Sequence, residues 1–160
     1  MKVKLSISLG ILLLSCLIIA PYIHEMVHIF TFKSLSGNYF ADIGVSSSVY
    51  GSFRVLAPMN LFEYILLLSG GVVSSLLLGL LFIYLGRKKT SYLSTNFGIG
   101  FLLNPSLSML TKNDISTLFS FINLNYLSIL IGIFILGICL FEFNYSTKIM
   151  MANNQNIVAV

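Results

Sequence analysis

Residues 5–28 read LSISLGILLLSCLIIAPYIHEMVH, an apolar run without charge as far as position 23, followed by three ionisable residues within five positions. A helix needs about 20 mainly apolar residues to cross the hydrocarbon core of a bilayer, and this run supplies them. Pro21 is expected to kink that helix just before the ionisable group. The stretch therefore predicts a membrane span over residues 5–32, with Lys33 at its far interface.

The composition of the whole chain agrees with a lipid environment. Of its 160 residues, 57% are hydrophobic and only 9% are charged, whereas a soluble domain carries about 25% charged residues. Further apolar runs predict spans over residues 61–85, 92–110 and 124–143. We expect an all-α membrane protein with about four transmembrane helices, in one domain that covers residues 1–160.

The segment between the first two predicted spans has a different pattern. Residues 48–55 alternate between two faces with a period of two, which is typical of a strand. Residues 39–45 are a candidate partner, so the sequence predicts a short β-hairpin-like segment. An ordinary polar loop is the alternative.

Small and helix-breaking residues mark two of the later spans. Ser69, Gly70 and Gly71 would let helix backbones approach closely in the second span. The third contains the dipeptide Asn104-Pro105 and is expected to be kinked or broken. The polar tail after Lys148 is expected to fray.

The charges and cysteines argue against nucleic-acid binding and against a disulfide framework. The formal net charge is +4, but the basic residues flank the apolar runs, as membrane-flanking charges do, and they form no stripe that would bind nucleic acid. Cys16 and Cys139 each lie inside an apolar run and predict buried thiols rather than a disulfide framework. We therefore expect a multi-pass protein of the cell membrane.

The two histidines of the chain carry the chemical signal. His24 and His28 are four residues apart, so on a helix they share one face and can bind one zinc ion together. Glu25 completes the pattern His-Glu-x-x-His, in which the glutamate is the general base that takes a proton from zinc-bound water. Ionisable groups inside a span are costly and indicate function, and a divalent cation would offset that cost.

A catalytic zinc needs a third protein ligand, and the sequence leaves carboxylates for that role. If the first three spans alternate in direction, Asp114 returns to the side of the membrane that holds the histidines. Glu63, at the start of the second span, is the alternative third ligand. Asp42 falls in the polar segment, and Glu142 falls on the opposite side if the last span crosses fully.

These motifs resemble the site-2 protease family of intramembrane zinc metallopeptidases and the related small bacterial zincin peptidases. His24-Glu25-Met26-Val27-His28 matches the family's zinc motif, and residues 68–75 resemble its small-residue segment in the following span. Asn104-Pro105 and Asp114 resemble its Asn/Pro…Asp-Gly element, although Ile115 stands where the family usually has glycine.

The resemblance implies one Zn²⁺ per chain, held by His24, His28 and Asp114, with Glu25 as the catalytic base. It implies hydrolysis of a peptide bond in or next to a membrane-spanning segment of a substrate protein. Asn104 would hold the substrate backbone or the developing oxyanion. An edge strand within residues 39–55 would pair with the extended substrate.

The distribution of positive charges and the family resemblance imply opposite membrane orientations. In a four-span arrangement the positive charges at residues 2, 4, 87–89 and 148 face those at residues 33, 54 and 112 across the bilayer. The positive-inside rule then puts both termini in the cytoplasm and the zinc toward the outside. The resemblance implies a site that is reached from the cytoplasm, and we follow that orientation.

Two other classes of function fit parts of the pattern. A non-catalytic metal-binding membrane protein, of an immunity or interaction type, would carry the same motif without turnover. A small transporter subunit would spread polar residues through several spans, whereas in this chain the ionisable residues cluster at the motif.

Overall fold

The structure is a computed structural model that describes residues 2–36, 60–111, 114–121 and 123–158. All regular elements within these ranges are helical. They are α1 (Lys2–Leu14), a π-helical turn (Ser15–Ile19), α2 (Ala20–Ser36), α3 (Leu61–Lys88), α4 (Tyr92–Met109), α5 (Asp114–Phe121) and α6 (Asn125–Val158). The predicted β-hairpin over residues 39–55 lies outside the described residues.

Three helical stretches are long and apolar enough to cross a membrane, namely Val3–Leu35, Leu61–Lys88 and Tyr126–Ala152. They confirm the prediction of a helical protein with segments that are long and apolar enough to span a membrane. The predicted count of four is not supported, because the run over residues 92–110 forms α4, which is a helix but is not among the three. α6 continues past Lys148 to Val158, over residues where the sequence predicts a frayed tail.

The position of α4 in the bundle explains why it is less apolar than the three long apolar stretches. Eleven of its 18 residues are buried, and it packs against α1, α3 and α6. A helix that is surrounded by protein meets partners for its polar side chains, so it does not need the apolar surface that lipid requires. Asn96 and Asn104 are buried inside the bundle for this reason, and α4 runs through Pro105 rather than breaking there.

Close contacts set the register between α3 and α4. A Cβ atom on Gly79 would lie 2.6 Å from Cδ2 of Leu102, and one on Gly86 would overlap Thr95. The two contacts are seven residues apart along each helix, in opposite directions, so the helices are antiparallel. If this register continues for eight more residues in each helix, Gly71 lies opposite residue 110, which directly follows the last residue of α4.

Serine side chains fix α6 against α4. The hydroxyl of Ser106 donates to the Gly132 carbonyl (2.8 Å), and the hydroxyl of Ser128 donates to the Met109 carbonyl (3.3 Å). The hydroxyl of Ser146 makes the equivalent bond to Tyr92 at the other end of α4 (3.3 Å). Helices α4 and α6 are therefore antiparallel along their length. The connection between them, which contains α5, begins and ends near the level of Gly71 on α3.

A π-helical turn, Ser15–Ile19, ends two residues before Pro21, at which the sequence predicts a kink. The Ala20 N–H donates to the Ser15 carbonyl instead of the Cys16 carbonyl. Pro21 has no N–H to give, so the Cys16 carbonyl lacks a donor from its own helix. The side-chain amide of Asn104 on α4 supplies one, at 3.3 Å, and thereby ties the irregular turn to the centre of the bundle.

The close approach of α3 and α4 predicts unequal costs for two glycine-to-alanine changes. A Cβ on Gly98 would lie 2.6 Å from the Gly79 carbonyl oxygen and 2.8 Å from the Ile83 nitrogen, whereas one on Gly137 meets nothing within 4 Å. Because backbone cannot move aside cheaply, Gly98→Ala should destabilise the fold by about 1–3 kcal/mol. Gly137→Ala should be neutral or stabilise by up to about 1 kcal/mol.

Thermal unfolding of the two variants in detergent micelles measures this difference. An unchanged midpoint for Gly98→Ala would contradict the close packing of α3 on α4.

Candidate metal centre

The two histidines lie on one face of α2, a single turn apart, as their spacing predicts. Their ring centroids are 4.5 Å apart and the rings are nearly perpendicular, with an interplanar angle of 76°. His28 is only 1% exposed, while His24 is half-buried. The Nε2 atoms of the two rings lie 2.9 Å from each other, so both rings aim at the same point.

Asp114, the first residue of α5, completes the group. Its Oδ2 atom lies 3.1 Å from Nε2 of His24 and 2.9 Å from Nε2 of His28. The three atoms thus form a nearly equilateral triangle. Tetrahedral zinc with bonds of about 2.0–2.1 Å keeps its ligand atoms about 3.3 Å apart, which is within a few tenths of an ångström of this triangle.

Protons alone cannot give each of these three atoms a hydrogen bond to both of the others. Each Nε2 holds either a proton or a lone pair in its ring plane, and an ionised carboxylate only accepts hydrogen bonds. With Asp114 ionised, at least one side of the triangle would bring two lone pairs or two hydrogens face to face. A cation at the centre lets all three atoms present a lone pair at once, which makes the donor set suitable for a divalent metal.

A backbone carbonyl of α3 sets the orientation of His28. Nδ1 of His28 lies 2.7 Å from the Leu67 carbonyl oxygen. A carbonyl only accepts, so Nδ1 carries the proton and donates it, and the neutral ring keeps its lone pair on Nε2. For His24, Nδ1 is buried and has no hydrogen-bond partner in the part of the chain that the structure describes.

The electrostatics of Asp114 suit a ligand that stays ionised. Burial raises the pKa of Asp114, but an Nε2–H of His24 or His28 that donates to the carboxylate outweighs burial and brings the pKa below its ordinary value. The carboxylate is thus stabilised by the two imidazoles that it faces.

Glu25 is half-buried on α2 and lies outside the three-atom group. It is close enough to His24, His28 and Asp114 to interact with them electrostatically. Glu25 therefore lies near the three-atom group without belonging to it.

The other acidic residues have different environments. Glu63 forms a capping box at the start of α3, where the Asn60 side chain accepts from the Glu63 N–H and the Glu63 carboxylate accepts from the Asn60 N–H, both at 2.9 Å. Glu142 is buried and accepts two hydrogen bonds from Arg87, at 2.5 and 3.1 Å. That pair lies near the C-terminal end of α3, away from the histidines, and Asp42 lies outside the described residues.

The structure gives Asn104 a different partner from the predicted one. Asn104 is 6% exposed and its amide nitrogen donates to the Cys16 carbonyl. Its predicted role at the substrate or oxyanion stays a prediction. Two features of the site escaped the sequence reasoning, namely the Leu67 carbonyl, which no side-chain pattern signals, and Gly71, whose glycine pair indicated only close helix packing.

Comparison of the chain with protein-family models, with curated proteins and with solved structures found no match. The geometry of the site therefore carries the functional argument.

The bond from Asn104 predicts a structural role that can be separated from the metal group. Asn104→Leu keeps the volume but leaves the Cys16 carbonyl without its donor, so the fold should lose about 1–3 kcal/mol of stability. Metal binding by the folded variant should remain close to that of the wild type. Denaturation in micelles together with a zinc titration measures both quantities, and an unchanged stability would contradict the role of this hydrogen bond.

Proposed function

We propose that the protein is an intramembrane zinc metallopeptidase that hydrolyses a peptide bond in or next to a membrane-spanning segment of a substrate protein. One observation carries the proposal: Nε2 of His24, Nε2 of His28 and Oδ2 of Asp114 lie within 3.1 Å of one another. Two imidazoles and one carboxylate, with an acid in the position after the first histidine, are the ligand and base set of zinc peptidases.

The depth of the group supports a membrane substrate. His28 lies seven residues before the end of the first spanning stretch, and Leu67, which contacts it, lies six residues after the start of the second. Both counts correspond to about 10 Å of helix rise. We propose that the site lies between the interface and the bilayer midplane, at a depth where water and a membrane segment can meet.

The residues of the site divide the chemical work among them. When bound, zinc polarises the substrate carbonyl and lowers the pKa of a water molecule. His24, His28 and Asp114 hold the ion, and the Leu67 carbonyl keeps His28 in the tautomer that can bind it. Glu25 accepts the proton of the attacking water and then delivers it to the leaving amine.

A helical substrate must unwind before it can be cleaved, because its carbonyls are engaged in hydrogen bonds of its own helix. The finer architecture that we predicted would serve this step. We propose that α4 crosses the bilayer beside α3, which returns Asp114 to the level of the histidines, and that residues 39–55 provide a strand for the extended substrate.

Metal analysis tests the ligand assignment directly. The purified chain should bind about one zinc ion, and Asp114→Ala should weaken zinc binding by more than about 100-fold, because loss of an outer-shell partner alone costs 10- to 100-fold. Glu63→Gln is the matched control, since it also removes a carboxylate and preserves a capping box. Equal zinc affinity for Asp114→Ala and wild type would exclude Asp114 as a ligand.

The role of Glu25 is tested by cleavage. Glu25→Gln should keep its zinc and lose about 10²- to 10⁴-fold in turnover, the usual contribution of a general base. The assay mixes the purified chain with a panel of single-span membrane peptides in micelles and identifies products by mass spectrometry. Full turnover by Glu25→Gln would exclude this residue as the base.

The same pair of measurements separates the enzyme from the non-catalytic alternative. Zinc binding that requires Asp114, together with cleavage that a chelator abolishes, supports the peptidase. Zinc binding without cleavage of any peptide in the panel would favour a metal-binding membrane protein instead.

A further inference from the structure

Gly71 of α3 faces the metal group at a distance that excludes any side chain. A Cβ atom on Gly71 would lie 2.7 Å from Nε2 of His24, 2.7 Å from Cε1 of the same ring and 2.7 Å from Nε2 of His28. All three distances are below the 3.0 Å that real Cβ contacts essentially never cross. Even a methyl group would therefore contact both nitrogen atoms that aim at the ion.

We infer that Gly71 is a positioning residue of the metal centre, whose missing side chain gives the two imidazoles the room to converge on one cation. This inference rests on the proposed function, because it assigns Gly71 to the zinc site proposed above. The residue binds nothing itself and acts through the places of His24 and His28.

The neighbouring glycine shows that the requirement is local. A Cβ on Gly70 would lie 3.3 Å from Oγ1 of Thr31 and 3.4 Å from Cγ1 of Val27. These are the ends of side chains at ordinary or slightly tight distances, so a small adjustment accommodates a methyl group. Two adjacent glycines on one helix thus differ in their environment, which a general need for small residues in helix packing does not explain.

The same face of α3 also orients the ring. Leu67 lies one turn before Gly71, and its carbonyl accepts the hydrogen bond from Nδ1 of His28 at 2.7 Å. If α3 moved outward to make room for a side chain at position 71, this bond would lengthen. A larger residue must therefore either push the Nε2 atoms apart or loosen His28, and both changes disrupt the triangle with Asp114.

Hydroxyl groups anchor the backbone at this point. The side chains of Ser74 and Ser75 both donate to the Gly71 carbonyl, at 2.8 and 3.1 Å. Side-chain bonds of this kind to the preceding turn bend a helix slightly. Because both bonds lie within α3, they hold the backbone of residue 71 to its own helix, and the clash is relieved only if α3 moves as a whole or the histidine rings shift.

The test titrates the purified full chain in micelles with zinc alone. Gly71→Ala should weaken zinc binding at least about 10-fold, comparable to the loss of a partner that orients a ligand. Gly70→Ala, the matched control, should stay within about 3-fold of the wild type, since its methyl group meets only movable side chains. Similar zinc affinities for Gly71→Ala and wild type would overturn the inference.

A second comparison separates the metal role from helix packing. In the His24→Ala/His28→Ala background the rings that a methyl group at position 71 would contact are absent. Adding Gly71→Ala there should leave the unfolding midpoint equal or raise it, because alanine is the better helix former. A lower midpoint in that background would mean that α3 needs glycine for packing, and the inference would be wrong.

The outcomes also distinguish this inference from the proposed function. A wild-type chain that binds no zinc removes the metal centre itself, whatever Gly71 does. If the wild-type chain and Gly71→Ala bind zinc equally tightly, only the proposed role of Gly71 is excluded. If Gly71→Ala fails to fold with the histidines present but folds when they are replaced, the clash with the rings is established.

Discussion

The organisation of the site depends on the convergence of three polar atoms at one point of an apolar bundle. Nε2 of His24, Nε2 of His28 and Oδ2 of Asp114 are 2.9 to 3.1 Å apart. Groups of this kind are costly to bury when they face one another without a proton or an ion between them. The cation that we propose would remove that conflict, with α2, α3 and α5 as the scaffold that positions the three atoms.

The packing of the bundle brings these groups together. Glycines let α3 lie close to α4, and serine hydroxyls fix α6 to carbonyls of α4. Helices in lipid gain little from hydrophobic association, so close van der Waals contact and hydrogen bonds between helices become the main forces. The antiparallel register that results returns the chain to the level of the histidines at the point where α5 begins.

The π-helical turn is connected to this packing by a hydrogen bond from α4. Pro21 lies three residues before His24, and the carbonyl of Cys16 receives its hydrogen bond from Asn104 of the central helix. Irregular backbone in a membrane is tolerated where protein satisfies the freed polar groups. The irregular turn is thus held to the central helix by a buried side chain, at a point separate from the three converging atoms.

The amino-acid sequence by itself determined the helical, membrane-spanning character of the chain, because long uncharged apolar runs leave no other stable arrangement in lipid. It also determined the histidine pair and Glu25, because a spacing of four residues puts side chains on one helix face regardless of the rest of the fold. Asp114 was predicted from an alternation of three spans, with Glu63 as the alternative. The structure brings Asp114 to the histidines and places Glu63 in a capping box.

Tertiary structure alone decided the remaining features, since each depends on residues far apart in the chain. The helices around α4 bury it. This burial explains why α4 tolerates polar side chains that would be unfavourable in a helix facing lipid. The bond from His28 to the Leu67 carbonyl involves a backbone atom, which every residue carries and no pattern can mark. The space at Gly71 is defined by two rings on another helix, so only their arrangement in three dimensions reveals it.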